Sequence, residues 1–434
     1  MIRRHALAAV ALATLAAIAA PVMAQSKAAP AAKGAAAPAV AAQTVRIAYV
    51  DPLSGPFAGV GTNLLRHFQF MAEQMNAQQA AGPGVKFEIV PFDNKASPQE
   101  TLTVLKQVID QGIRYVVQGQ GSGAALALID AIEKHNERNP SQSIVFLNFA
   151  AVDPDLTNSK CSFWHFRFDA NTDMKMEALT TYMKDRPEMK NVFLINQNYS
   201  HGQQVSRVAK EQLAKKRPDV KIVGDDLHPL GQVRDFSPYI AKMRAANADT
   251  VITGNWGPDL ALLVRAARDA GLNANFYTYY GGVLGVPTAI GAAGENRMRQ
   301  VSYWHPNITP NYPYEKVAAE FKKRFNEEWY AVSTYTSLRL LAEGIRRAGS
   351  TDPLKVAYAM EGVKLEAPHG EIEMRASDHQ LLQPLWIASW TRVGGVNKHD
   401  VEKTGFTWKT EAAYPTYVAS QPTSCQMKRP PRPQ

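Results

Sequence analysis

The sequence predicts an α/β protein made of two doubly wound lobes, each built around a mainly parallel sheet. Short apolar runs typical of buried strands alternate with segments of helical periodicity along most of the chain. Two segments, 116–129 and 251–264, both have the pattern of a strand, a glycine turn and a helix. The core from residue 44 onward also exceeds the roughly 250 to 300 residues at which single cores stop growing. We therefore expect two similar lobes facing a cleft, with chance similarity between the two segments as the alternative.

The segment 115–136 carries the pattern around which the first lobe is predicted to be organised. A β-type run ends at Gly119, and two more glycines flank Ser122 before a helical pattern resumes. Glycines let main-chain N–H groups approach a bound group, and the start of a helix carries partial positive charge. The turn is therefore suited to hold a carboxylate, with the Ser122 hydroxyl as a further partner. The alternative is that these glycines serve only the packing of strand against helix.

The two ends of the chain are predicted to lie outside the lobes. Residues 1–24 combine two arginines with an uncharged apolar run and a small-residue cleavage site, which is typical of a secretory signal peptide. Residues 25–43 are an Ala/Pro-rich linker, and residues 405–434 are a Pro-rich tail that we expect to be irregular. No cysteine directly follows the cleavage site, so we expect a protein free in the periplasm without a lipid anchor.

The net charge of +9 does not indicate nucleic-acid binding. Most of the excess lies before residue 44 and after residue 404, and the core has no basic stripe with interleaved aromatic residues. A nucleic-acid partner is therefore not expected. The two cysteines, Cys161 and Cys425, predict one disulfide that pins the tail in an oxidising compartment, with two unpaired thiols as the alternative.

Individual strands can be placed along the core. In the first half they are predicted at 44–50, 85–91, from Tyr115, at 143–148 and, as an aromatic-rich crossing, at 163–168. In the second half they are predicted at 191–196, 221–223, 250–253, 276–280, 370–374 and 382–391, with late helices at 314–329 and 337–348. Ligands bind beyond the carboxyl ends of parallel strands. The loops 54–57, 120–123 and 149–153 are therefore predicted to surround one site.

Five motifs occur along this core: DPLSGPFAGVG at 51–61, YVVQGQGSGAA at 115–125, AAVDPDLT at 150–157, QNYSHG at 197–202 and RAARDAGL at 265–272. In their order and spacing the chain resembles the Leu/Ile/Val-binding protein family, the type I periplasmic solute receptors of ABC importers. The resemblance extends from about residue 44 to about residue 391. It implies two lobes joined by a three-crossing hinge. Lobe 1 would comprise 44–168 plus 305–378, and lobe 2 would comprise 169–304 plus 379–404.

The resemblance also implies which residues hold a ligand. The family binds a ligand carboxylate with a serine hydroxyl and main-chain N–H groups after the third strand, which gives Ser122 that role. A loop carbonyl maps to Ala150, a second-lobe tyrosine maps to Tyr199, and an aromatic residue that closes the cleft maps to Trp256. The candidate ligand-binding residues are Gln120, Gly121, Ser122, Ala150, Val152, Tyr199, Trp256 and Gly282.

Three side chains near the predicted cleft have more than one interpretation. Trp256 could stack on a ligand or fill the core, and Gln120 could contact a ligand amide or be a solvated residue of the turn. His201, next to Tyr199, could touch the cleft, and we favour its interpretation as an ordinary surface histidine.

Two departures from the family pattern concern the ligand ammonium. A threonine that helps to hold the ammonium in the family is replaced here by Val152. The acidic residue that pairs with the ammonium in the family corresponds to the turn around Gly282, which contains no acid. An unpaired buried ammonium is costly. We therefore expect a carboxylate, amide or aromatic acid rather than a free amino acid. The first-lobe disulfide of the family is also missing, since its positions fall on Ala96 and Gly121.

The motifs do not predict an enzyme, a cofactor or a metal site. The G-x-G-x-x-A pattern at 119–124 lacks the context of a dinucleotide site, and the histidines are scattered without metal-ligand spacing. We expect a monomeric periplasmic protein that closes on a small polar solute and delivers it to the inner-membrane permease of an ABC importer. The alternative is a ligand-sensing receptor for a membrane signalling partner. A secreted hydrolase has little support, because no nucleophile, base and orienting group can be assembled.

Overall fold

The chain forms two large sheets and one small one in the computed structural model, which describes residues 43–308 and 313–433. The predicted signal peptide and residues 25–42 of the predicted linker lie outside these described residues. The first sheet comprises β1 (Gln43–Asp51), β2 (Val85–Asp93), β3 (Tyr115–Gln118), β4 (Val145–Asn148) and β5 (His165–Arg167). Its spatial order is β2-β1-β3-β4-β5 and all neighbours are parallel, as predicted for a doubly wound lobe.

Helices connect the first four strands. They are α1 (Ala58–Ala77), α2 (Pro98–Asp110) and α3 (Ser122–Arg138). Local sequence explains where α2 begins, because the Ser97 hydroxyl accepts the Glu100 N–H and Pro98 occupies the first turn. All three elements bury an apolar face against the sheet, with Phe68, Val108 and Leu128 almost fully enclosed.

The second sheet repeats this arrangement. Its first five strands are β6 (Asn191–Gln197), β7 (Lys221–His228), β8 (Thr250–Thr253), β9 (Asn275–Thr278) and β10 (Met298–Ser302). They lie in the order β7-β6-β8-β9-β10, which is the order of the first sheet, and their neighbours are parallel. The accompanying helices are α4 (Thr172–Met183), α5 (Ser200–Lys216), α6 (Ser237–Ala245), α7 (Gly257–Asp269) and α8 (Val286–Ile290). The shared strand order supports the predicted pairing of two similar lobes.

The last third of the chain contributes elements to both lobes. Three helices follow β10: α9 (Pro313–Phe325), α10 (Val332–Ala348) and α11 (Pro353–Met360). A small antiparallel sheet then comprises β11 (Lys364–Ala367), β12 (Gly370–Met374) and β13 (Leu381–Leu382). β14 (Leu385–Arg392) and β15 (Phe406–Tyr414) add to the second sheet in antiparallel fashion beside β10. The chain thus passes between the two large lobes after β5, after β10 and before β14.

The strand β15 corrects the prediction of an irregular tail from residue 405. The prolines of the tail begin only at Pro415, and the preceding segment is rich in aromatic residues and threonine, which favour strands. Trp408 pairs with Trp390 in register and both rings are buried. The late helices also differ from their predicted bounds, since α9 ends at Phe325 and α10 begins at Val332.

The predicted disulfide between Cys161 and Cys425 is present, with Cα atoms 5.7 Å apart. It attaches the end of the tail to the segment that precedes β5. Near it, Lys428 forms an ion pair with Glu137 at 2.7 Å. Among the described residues no helix is both long and apolar enough to cross a bilayer.

A buried arginine connects two of the three crossings. The Arg167 guanidinium donates to the Gln380 side chain at 2.6 Å and to the Asp153 carbonyl oxygen at 2.6 Å. The Arg167 N–H donates to the His379 carbonyl oxygen at 2.9 Å. These bonds fix the loop after β4 relative to the third crossing, and this loop contributes to the site described next.

Candidate functional site

The glycine turn after β3 is held by a buried carboxylate. The Oδ1 atom of Asp51, at the end of β1, accepts the N–H of Gly119 at 3.1 Å and the N–H of Gln120 at 2.9 Å. Gly119 also packs so closely on the Phe149 ring that a Cβ atom would lie 2.6 Å from it. Gly121 has a φ of +92°, which favours glycine. Together these contacts fix the start of α3.

The sequence interpretation did not single out Asp51. Burial raises its pKa to about 6, opposed by the hydrogen bonds from the Gln120 and Gly119 amides. An aspartate in the last position of an apolar strand is the signal that could have indicated it, because a buried carboxylate needs donors. Asp51 positions the turn and does not itself line the cavity described below.

Ser122 is the first residue of α3 and is buried. Its hydroxyl oxygen accepts the Asp153 N–H at 3.3 Å, which leaves the hydroxyl hydrogen available to an acceptor in the cleft. The first N–H groups of a helix also have no acceptor within the helix. The arrangement therefore presents hydroxyl and main-chain donors at one point.

The loop after β4 forms the adjoining wall. The Asn148 side chain accepts the Ala151 N–H at 2.8 Å and donates to the Ala151 carbonyl at 2.9 Å, which holds the backbone next to Ala150. The Val152 carbonyl accepts the Thr172 N–H at 2.9 Å, and the Val152 side chain is buried. Val152 thus supplies an apolar surface at this wall.

The opposite wall comes from the second lobe. Tyr199 and Trp256 are the residues that immediately precede α5 and α7. The Trp256 Nε1–H donates to the Tyr199 hydroxyl at 2.9 Å, which leaves the hydroxyl hydrogen of Tyr199 free to donate. Burial raises the pKa of Tyr199, so the hydroxyl stays protonated. The Trp256 ring packs on the Phe57 ring of the first lobe, with centroids 4.2 Å apart.

His201 is buried, and its interpretation as a surface residue was wrong. Its ring nitrogens lie 3.1 Å from the Thr172 hydroxyl and 3.1 Å from the Gly254 carbonyl oxygen. Burial lowers its pKa to about 4, so the ring is neutral at neutral pH. His201 therefore joins the start of α4 to the turn before Trp256. The signal that could have indicated its burial is helical spacing, since His201 lies on the same face of α5 as the buried Val205 and Val208.

Seven of the eight candidate ligand-binding residues line one cavity of about 60 Å³ between the two lobes. They are Gln120, Gly121, Ser122, Ala150, Val152, Tyr199 and Trp256. Val60, Leu64, Tyr280 and Val283 complete the lining together with Gly119 and Ala151, and no charged side chain is among these residues. Gln120 is buried, which excludes the solvated alternative, and its Oε1 atom has no partner among the described residues.

Gly282 lies apart from the other seven. It lines a second cavity of about 160 Å³, which shares Tyr280 and Val283 with the first. The turn from Gly281 to Val283 contains no acid, as the sequence indicates. Within the described ranges no group of three or more His, Cys, Asp or Glu side chains is placed to hold a metal ion.

The arrangement matches a known family. The family model described as "Periplasmic binding protein" matches residues 44–396. The chain belongs to the periplasmic binding protein family. Its two parallel-sheet lobes are the type I fold of that family.

Individual periplasmic binding proteins are similar over most of their length. "Leu/Ile/Val-binding protein homolog 4" of Brucella abortus is 32% identical over 90% of this chain and 94% of its own. The crystal structure of the "Leucine-, isoleucine-, valine-, threonine-, and alanine-binding protein" of Brucella ovis, in its closed conformation, has a TM-score of 0.78 and 30% identity, covering 90% of this chain and 100% of that one. A solute-binding protein of an ABC transporter of Rhodopseudomonas palustris, in complex with 3,4-dihydroxybenzoic acid, has a TM-score of 0.74 and 19% identity over 86% of this chain and 98% of its own. The last likeness shows the fold alone.

Proposed function

We propose that this protein is the solute-capturing component of an ABC importer and that its solute is a small organic acid. The observation that carries the proposal is the convergence of helix N-termini on one cavity, among them those of α3 and α5, which have no acidic residue in the first turn. The residues that precede α3, α5 and α7, namely Gly121, Tyr199 and Trp256, all line the same small cavity. A helix N-terminus favours a negative charge by about 0.3 to 1 kcal/mol at an exposed site.

Acidic residues in the first turns of these helices determine which N-termini are available to an anion. α7 carries Asp259 in its first turn, and that carboxylate accepts the Gln197 side chain at 2.8 Å and the Gly231 N–H at 2.9 Å. Asp259 therefore offsets the N-terminus of α7. α3 and α5 have no acidic residue in their first turns, so their N-termini remain available to an anion in the cleft.

Hydrogen-bond donors converge on the same space. The Ser122 and Tyr199 hydroxyl hydrogens are both free to donate, because their oxygens already accept from Asp153 and Trp256. Hydrogen bonds to a charged partner contribute about 1.5 to 3 kcal/mol each, more than bonds between neutral groups. A carboxylate is the acceptor that would use such a set of donors.

A free amino acid fits less well. No acidic side chain lines this cavity to pair with an ammonium, and Val152 presents an apolar side chain. The relatives from Brucella are named for binding leucine, isoleucine and valine, and one of them also for threonine and alanine. We nevertheless favour the acid, since an ammonium without a partner in a closed cleft is strongly disfavoured.

A thermal-shift screen tests the proposal on the mature protein. Benzoate and 4-hydroxybenzoate should raise the melting temperature, and L-leucine should not. Ser122→Ala should remove most of the shift, whereas Ser237→Ala, at the exposed start of α6, should leave it unchanged as a matched control. Stabilisation by L-leucine alone, or equal shifts for wild type and Ser122→Ala, would refute the proposed ligand class.

A further inference from the structure

The segment that follows β15, residues 415–433, starts on the second lobe, and we call it the strap. β15 belongs to the second sheet, and the short 3₁₀ turn that comes next, Thr416–Ala419, packs against α4 and β14 of that lobe and reaches β13. Val418 and Ala419 are fully buried in this turn. Two enclosed apolar side chains attach the start of the strap firmly to the second lobe.

The strap then becomes attached to the first lobe. Cys425 is bonded to Cys161, which lies in the segment between β4 and β5 of the first sheet. Thr423 and Ser424 each donate a hydrogen bond of 3.0 Å to residues 157–158 of the same segment. The strap is therefore fixed to the first lobe by a covalent bond and by hydrogen bonds next to it.

The residues beyond the disulfide remain on the first lobe. Arg429 pairs with Glu361, directly after α11, at 2.5 Å. The Tyr358 hydroxyl of α11 donates to the Pro430 carbonyl oxygen at 2.5 Å. α11 packs on α10, which packs on α1, so both partners belong to the first lobe. The end of the strap thus has several contacts with one lobe in addition to the disulfide.

Between its two attachments the strap passes beside the third crossing. The Arg375 guanidinium donates to the Gln421 carbonyl oxygen at 2.8 Å and binds both oxygens of Asp378, at 2.8 and 2.6 Å. Asp378 directly precedes the third crossing. Glu361, which pairs with the strap, also lies 2.7 Å from Nε2 of His379. The strap is therefore bonded to residues of the hinge itself.

The part of the strap that bridges the two lobes is short. An extended chain covers at most about 3.3 to 3.6 Å per residue, so Ala419 and Cys425 can lie no more than about 22 Å apart. While the Thr423 hydrogen bond holds, the limit from Ala419 to that residue is about 14 Å. A movement that separates the two attachments first breaks the bonds at Gln421 and Thr423 and is then stopped by the disulfide.

From these contacts we propose that the strap is a fourth connection between the lobes and restricts how far they separate. The crossings after β5, after β10 and before β14 are the other three. A restraint shifts a conformational equilibrium only through contacts that differ between the two states. The strap contacts with both lobes are all formed in the arrangement in which Phe57 touches Trp256. The strap therefore favours this arrangement over a more widely opened one.

Pulsed electron paramagnetic resonance tests the proposal on the mature protein without ligand. Spin labels are carried by non-natural residues at Gln99 and Gln232, because cysteine labels would interfere with the disulfide. Both positions are exposed, at the start of α2 and in the loop after β7. They lie beyond the carboxyl ends of strands in different sheets and therefore on opposite sides of the cleft.

Two variants release the restraint in different ways. The double variant Cys161→Ser/Cys425→Ser removes the covalent attachment. Insertion of about eight Gly and Ser residues after the exposed Ser420 lengthens the strap but keeps the disulfide and every attachment on the first lobe. Both variants should shift the distance between the labels to longer values and broaden its distribution. A strap that only stabilised the fold would not respond to its own length.

Lys428→Ala is the matched control, because it removes an ion pair beyond the disulfide and leaves the bridging part of the strap unchanged. Its distance distribution should equal that of the wild type. If the double variant does not fold, the insertion variant decides. Equal distances in the wild type and the insertion variant, or an equal lengthening in Lys428→Ala, would overturn the proposal. Because no ligand is present, either result leaves the proposed function to its own test.

Discussion

The ring of Phe57 lies against the ring of Trp256 with 4.2 Å between their centroids, and this contact joins the two lobes over the small cavity. Phe57 follows β1, and Trp256 precedes α7. The same indole donates to the Tyr199 hydroxyl, so one side chain contributes both to the contact between the lobes and to the position of the proposed ligand donor. The lobes are thus in direct contact here, and a ligand that binds both lobes would favour this arrangement only by its differential affinity for it.

Phe57→Ala should weaken closure without disturbing either sheet. An aromatic pair contributes about 0.5 to 1.5 kcal/mol beyond its buried area. We therefore expect the dissociation constant for a bound acid to rise by about threefold to tenfold, mainly through faster dissociation. Stopped-flow displacement measures this rate, and Phe57→Leu, which keeps an apolar contact, should show a smaller change. An unchanged dissociation rate in Phe57→Ala would contradict the proposed role of the ring pair.

Asp51→Asn should remove a pH dependence of stability. Burial raises the pKa of Asp51 to about 6 from its ordinary value of 3.8. The folded state therefore binds the proton more tightly than the unfolded state does. The resulting stabilisation of the folded state is present below about pH 4 and is lost as the pH rises through 6. It amounts to about 3 kcal/mol. Asparagine retains an oxygen that can accept from the Gly119 and Gln120 amides but does not titrate.

The measurement is urea unfolding of wild type and Asp51→Asn across this pH range. The free energy of unfolding of the variant, relative to wild type, should increase by up to about 3 kcal/mol from pH 4 to pH 7. A difference that stays constant with pH would show that Asp51 does not titrate in this way. Asp51→Ala serves as a contrast, because the loss of both acceptor oxygens leaves the two amides without partners at every pH.

The His201 ring should titrate far below an ordinary histidine. Burial lowers its pKa to about 4 from 6.5. Its contribution to stability is therefore present above pH 6.5 and is lost as the pH falls toward 4, opposite in sign to that of Asp51. NMR of ring-labelled protein should give a midpoint near 4, while the urea-unfolded chain gives the ordinary value. A midpoint near 6.5 in the folded protein would contradict the buried position.

Cys161→Ser should release the end of the tail. The bond between Cys161 and Cys425 spans 264 residues of sequence and attaches a segment that also forms ion pairs from Lys428 to Glu137 and from Arg429 to Glu361. Native disulfides typically contribute about 2 to 4 kcal/mol. We expect a lower melting temperature and faster proteolysis within residues 415–433, with Cys425→Ser behaving alike. Equal protease resistance with and without the bond would show that the tail is held by its other contacts.

Features that local sequence patterns encode could be predicted from the sequence. The glycine turn before Ser122 is recognisable because a strand period gives way to a helix period at glycines. Tyr199 and Trp256 then join it in one cavity, since loops at the carboxyl ends of parallel strands converge. The family resemblance supplied these second-lobe positions, and the geometry places them opposite Ser122.

Features that depend on packing between distant segments were not predictable in this way. The Asp51 carboxylate accepts from a turn nearly seventy residues later, and no local pattern records that pairing. The ion pair between Asp169 and Lys175 is local, but the aromatic rings around it come from segments that follow β9 and β10, far along the chain. Trp408 was assigned to an irregular tail because the prolines after residue 415 dominated the pattern of that segment.

A crystal structure of the mature protein grown with 4-hydroxybenzoate tests the central claim most directly. The ligand carboxylate should lie within hydrogen-bond distance of the Ser122 hydroxyl and of main-chain N–H groups at the start of α3, with Tyr199 and Trp256 closing over it. An acid bound elsewhere, with the cavity at Ser122 empty, would contradict the assignment.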